Sequence, residues 1–172
     1  MIETAALFIF PILMAFAATS DLLTMTISNR ISIALFVGFL AMAFFLQFPL
    51  ETTAWHLSCG FAILCLTFGM FCFGWVGGGD AKLAAATALW LGWDHVLDYG
   101  LAASVIGGLL TLALLQARRW PLPQWAFRQE WIARLHDQAT GIPYGIALAI
   151  AGLLVYPDTA VWLHAIGAHL SS

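Results

Sequence analysis

Two aspartates, Asp21 and Asp80, are the residues of this sequence best placed to do chemistry, because each lies against a long apolar stretch. A carboxylate there needs a reason, since an Asp at the centre of a membrane helix costs about 2.5–3.5 kcal/mol on insertion scales. Asp21 ends an apolar run in Ala17-Ala18-Thr19-Ser20-Asp21, and Asp80 closes Gly77-Gly78-Gly79-Asp80 where Ala81-Lys82-Leu83 opens another. An Asp that begins a helix is an ordinary N-cap, but three glycines go beyond a cap. They remove every side chain and permit φ > 0, so another backbone can approach the carboxylate. Two aspartates sharing one proton suit peptide hydrolysis: the ionised member takes a proton from water, and the neutral one donates a hydrogen bond to the carbonyl. No metal or cofactor is then required. The helix dipoles suggest Asp80 as the resting base, at a helix start, and Asp21 as the proton donor, near a helix end.

Two neighbours are candidates for support. Lys82 is either a cation that meets a carboxylate or substrate carbonyls, or an orientation anchor snorkelling to the interface. Asn29 either hydrogen-bonds substrate or holds its own turn. Cys59, Cys65 and Cys72 share one apolar segment without metal or redox spacing and are expected to be packing residues. His56, His95, His164 and His169 are expected near the outer face in interfacial or structural roles, and no metal site is expected. No basic tract suggests nucleic acid.

The elements that must position these residues lie in a membrane. Of 172 residues, 62% are hydrophobic and 9% charged, against about a quarter charged in soluble domains. A water-soluble globule is excluded. Apolar runs at 4–20, 31–50, 54–76, 81–93, 97–117 and 142–156 predict an all-α, polytopic membrane protein of about six transmembrane helices with short connecting loops. Runs four and six are short, so each must borrow flanking residues, thin the bilayer or be sheltered by neighbours. Ala15-Phe16-Ala17 mimics a leader cleavage site, but the chain opens Met1-Ile2-Glu3 without a basic region, so the first run is expected to be a permanent span. Threaded alternately, the six runs put Arg30, Lys82, Arg118, Arg119, Arg128 and Arg134 on one face and Glu3, Glu51, Asp94, Asp98 and Asp158 on the other. The basic face is then cytoplasmic and both termini lie outside. Residues 118–141, where Trp120, Trp125, Phe127 and Trp131 alternate with charges, predict one amphipathic cytoplasmic segment, a surface-lying helix started by Pro123. Residues 160–170 predict a short helix on the outer surface. The whole, 1–172, is expected to be a single membrane-embedded domain.

Asp21, followed by Ile27-Ser28-Asn29, together with Gly77-Gly78-Gly79-Asp80 and Lys82, resembles the type IV prepilin peptidases, GxGD-type membrane aspartyl proteases. The likeness is in particular to the small CpaA/TadV-like branch that serves tight-adherence (Flp) pili, whose last characteristic stretch Pro143-Tyr144-Gly145 resembles. The resemblance implies an aspartic endopeptidase that removes the leader peptide from type IV or Flp-type prepilins. It would act at the cytoplasmic face of the bacterial inner membrane, with Asp21 and Asp80 catalytic and Gly77, Gly78, Gly79, Lys82 and Asn29 supporting. The implied partners are a prepilin, with a hydrophilic leader and an apolar helix, and the lipid bilayer; oligomeric state is left open. Ser28 stands where the family usually has proline, and the cysteine tetrad of larger members is not among the three cysteines here. Two other readings of the same carboxylates are a proton-coupled transporter or channel with Asp21 and Asp80 as its relay, and a non-catalytic pilus-assembly scaffold.

Overall fold

A computed structural model describes residues 2–121, 123 and 128–170, and its regular structure there is entirely helical. Helix α1 spans Ile2–Thr24, α2 Asn29–Phe45, α3 Leu50–Cys72, α4 Gly78–Ala117, α5 Glu130–His136, α6 Tyr144–Val155 and α7 Ala160–Leu170, with a 3₁₀ turn at Tyr156–Asp158. Three of these are long and apolar enough to cross a membrane, with apolar windows at Leu7–Thr24, Leu50–Cys72 and Gly78–Ala117. Asn29–Phe45 and Tyr144–Asp158 are shorter apolar stretches. The protein is a polytopic, all-helical membrane protein.

The longest helix is folded double. Straight, α4 would hold Asp80 and Ser104 about 36 Å apart, yet Asp80, Ala84, Tyr99, Ala103 and Ser104 line one cavity. The chain reverses at Gly92, whose φ of 71° and ψ of −179° lie in a region essentially restricted to glycine. A Cβ at Gly92 would stand 2.9 Å from the His56 ring. That ring, buried and stacked on Phe39 with centroids 5.3 Å apart, contacts the Leu89 carbonyl through Nδ1 at 2.9 Å, satisfying an orphan acceptor at the end of the first half. The fourth and fifth runs are thus the two halves of α4, joined by one residue. The polar stretch Asp94-His95 is helical, not a loop between runs. His56 is a structural residue, as expected.

The first half of α4 is only 14 residues, about 21 Å, and it is sheltered by its neighbours. Of residues 81–92, Lys82 alone is exposed. Its alanines let flanking helices come close, the usual device of membrane helix packing, and Trp90 anchors the centre. The Trp90 indole donates to the Leu35 carbonyl (2.9 Å), and its ring meets those of Phe10 and Tyr156 at 5.4 and 6.0 Å. Around this core the outward faces are apolar: Phe8, Phe44, Phe61, Leu97 and Leu101 are exposed, as lipid contact requires.

The segment between α4 and α6 carries one short helix. Helix α5 starts after Gln129, which is extended; Glu130 is exposed and residues 131–136 are half-buried, while residues 124–127, where a helix started by Pro123 would open, lie outside the described residues. Its seven residues carry Glu130 in the first turn and Arg134 and His136 in the last, which suits the helix dipole. Buried Arg118 ties the segment down by donating to the carbonyls of Leu135, Thr140 and Gly141 at 2.8, 3.1 and 2.9 Å. Trp125 and Phe127 lie outside the described residues. Helix α7 forms at Ala160–Leu170, as the sequence predicts.

Candidate active site

Asp21 and Asp80 come from helix ends far apart in sequence, and the fold packs the segments that bear them together. Helix α1 runs a turn past Asp21, whose carbonyl accepts Met25 N–H at 2.8 Å, before Met25 ends it with φ 55°. Asp21 is therefore inside the helix and 5% exposed. Its Oδ2 accepts the backbone N–H of Gly145 at 2.8 Å, one of the free donors in the first turn of α6. Asp80 is the third residue of α4, not its N-cap. Gly77 is the cap, and the Asp80 side chain folds back over it, with Oδ2 2.8 Å from where a Gly77 Cβ would stand. Ile27, six residues after Asp21, packs against Gly79, next to Asp80. Asp80 lies in the first turn of α4 and Asp21 in the last turn of α1, where it also accepts an N–H from the start of α6.

The glycines work through closeness rather than unusual dihedrals. Gly77 has φ −67°, and Gly78 and Gly79 are helical. A Cβ on Gly77 would stand 2.8 Å from Asp80 Oδ2, one on Gly78 3.2 Å from the Phe71 ring, and one on Gly79 3.1 Å from Ile27 Cβ. Ile27 in turn wedges against α6, where a Gly145 Cβ would lie 2.6 Å from Ile27 Cδ1 and 2.8 Å from Asp21 Oδ2. The segment after Asp21 therefore packs between the starts of α4 and α6. Ser28 keeps its turn: at φ −65° it has the value proline imposes, and its hydroxyl accepts Arg30 N–H at 3.3 Å.

Lys82 and Asn29 form a pair of their own. Lys82 Nζ donates to Asn29 Oδ1 at 2.9 Å, and no ion pair joins Lys82 to either aspartate among the described residues. Asp80 instead opens, beside Tyr99 and Tyr144, onto a cavity of about 290 Å³ between α3, both halves of α4 and α6. Arg134 Nη1 donates to the Leu23 carbonyl at 2.9 Å and so seats α5 on the last turn of α1, two residues from Asp21.

Gly145 and Ile27 are the site residues that the sequence did not single out for a role. Pro143-Tyr144-Gly145 was a visible signal, because a proline-glycine helix start presents unpaired N–H groups, but its target could be known only once α6 met α1. Among the described residues no three His, Cys, Asp or Glu side chains converge as metal ligands.

A profile of the type IV leader peptidase family matches residues 8–112, which include both aspartates. Prepilin leader peptidase/N-methyltransferases of Aeromonas hydrophila and Aeromonas salmonicida are 33% identical to this chain over 98 residues. That stretch is 57% of this chain and 26% of each relative, so the match spans about a quarter of their length. No solved structure gives a significant match.

Proposed function

The chain belongs to the type IV leader peptidase family, and from that premise we propose that it is a membrane-embedded aspartic endopeptidase that removes the leader from a type IV or Flp-type prepilin. One observation carries the reading: Ile27 packs against Gly79, next to Asp80, and against Gly145, whose N–H holds Asp21 Oδ2 at 2.8 Å, so the chain that follows Asp21 sits on the start of the helix that bears Asp80. Like charges at short range resist joint ionisation, so such a pair keeps one shared proton. The ionised carboxylate takes a proton from water as the water oxygen attacks the scissile carbonyl. The protonated carboxylate donates to the carbonyl oxygen, and collapse of the tetrahedral intermediate expels the amine, which leaves with a proton.

The placement fits a substrate that is half in lipid. Arg30, Lys82, Arg118 and Arg134 gather at the helix ends that hold the aspartates, as the bonds from Lys82 to Asn29 and from Arg134 to Leu23 require. The concentration of bases supports a cytoplasmic-facing site in the bacterial inner membrane. A precursor's apolar helix can stay in the bilayer while its leader junction reaches Asp80 through the cavity shared with Tyr99 and Tyr144. Gly77, Gly78 and Gly79 let Asp80, Phe71 and Ile27 close in on the start of α4 and so hold Asp80 at the edge of that cavity.

The test is cleavage of a purified prepilin by the purified chain in detergent. Wild type should release the leader, while Asp21→Asn and Asp80→Asn should each lose at least about a hundredfold in rate, the lower range for losing acid–base catalysis. Equal cleavage by all three overturns the reading, and proton flux that either substitution abolishes, without proteolysis, replaces it with a relay. The wild-type rate should rise and fall with pH, since both a fully protonated and a fully ionised pair lack one partner.

A further inference from the structure

On the side of α4 away from the aspartates, α2, α3 and the first half of α4 enclose a groove of about 640 Å³. Its walls are apolar: Ile33 and Phe36 from α2, Leu57, Phe61 and Leu64 from α3, and Leu89 from α4. Asn29, Ser32 and Lys82 gather at one end, the end of the bundle where the bases lie. Neither Asp21 nor Asp80 lines it.

The polar end has unused donors. Lys82 spends one N–H on Asn29 Oδ1, which leaves two on the ammonium and both on the Asn29 amide. Among the described residues no carboxylate is within ion-pair distance of Lys82. Ser32 Oγ is buried without a hydrogen-bond partner, a state that buried hydroxyls rarely keep. A cation, an amide and an unpaired hydroxyl therefore surround the mouth of an apolar slot. A free anion would leave the walls uncovered, and a bare acyl chain would leave the donors unpaired. A peptide seated here would have to pass around α4 to reach Asp80. An anionic amphiphile satisfies both ends, and basic pockets between membrane helices on the cytoplasmic side hold anionic headgroups in this way.

We propose that the groove is a binding site for an anionic phospholipid, with its phosphate on Lys82, Asn29 and Ser32 and one acyl chain along Phe36, Phe61 and Leu89. The assignment does not depend on the peptidase reading. Native mass spectrometry of the full chain in detergent, titrated with phosphatidylglycerol and phosphatidylcholine of matched chains, measures it directly. Phosphatidylglycerol should bind about fivefold more tightly, the preference one cation gives near a membrane surface, and Lys82→Gln should erase the difference. Inorganic phosphate at the same concentration should not compete. In vesicles, Phe61→Trp, a conservative change on an exposed wall residue, reports occupancy without altering the polar end. Its added fluorescence should be quenched more by acyl-brominated phosphatidylglycerol than by brominated phosphatidylcholine. Equal affinity for the two lipids, a preference that survives Lys82→Gln, equal quenching, or displacement by inorganic phosphate would each overturn the proposal.

Discussion

The two halves of α4 are both apolar, yet they live in different surroundings. The first, residues 78–91, is buried almost throughout below Asp80, with Ala88 and Trp90 fully enclosed. The second shows Leu97, Leu101, Val105, Leu109 and Leu112 to the bilayer, each more than 60% exposed. In lipid, hydropathy does not separate core from surface, because hydrocarbon is as apolar as leucine. Side-chain size does. Small residues draw neighbouring helices together, and the half that packs most closely carries the carboxylate whose position has to be fixed.

Substitutions can break that contrast, and the largest effect belongs to the site. Gly145→Ala puts a methyl 2.8 Å from Asp21 Oδ2 and 2.6 Å from Ile27 Cδ1, so the carboxylate must move. Displacement of a reacting group by an ångström costs about a hundredfold, and steady-state prepilin cleavage should show this mainly in kcat. Gly92→Ala, strained by its φ of 71° and facing the His56 ring at 2.9 Å, should lose about 1–3 kcal/mol, read as a lower unfolding temperature in detergent. Ala88→Leu in the enclosed half should cost a similar 1–3 kcal/mol through overpacking. Leu101→Ala in the lipid-facing half, 68% exposed, should change stability by less than about 0.5 kcal/mol. Equal losses for the last two would dissolve the distinction between the halves.

The sequence carried the helices and the family well, because apolar length and the motifs around Asp21 and Asp80 are strong signals in lipid. It misplaced the turn inside α4. Asp94, His95 and Val96 read as a break between runs, whereas they sit in the opening turn of a helix and the reversal is Gly92 alone. Nothing local marks one glycine as the pivot until His56 arrives from α3. Lys82 lies only two residues from Asp80, but that spacing turns the two side chains to nearly opposite sides of a helix, and the structure sends Lys82 to Asn29. Gly145 stayed hidden for the same reason as Gly92: its partner is 124 residues away.

The central claim is that Asp21 and Asp80 act as one unit. It is tested most directly by prepilin cleavage rates for wild type, Asp21→Asn, Asp80→Asn and the double variant, measured on folded protein in one detergent. Groups that work together are strongly non-additive, so each single substitution should bring the rate to the same floor and the second should lower it no further. Losses that multiply, or a single variant that keeps wild-type cleavage, would contradict the account.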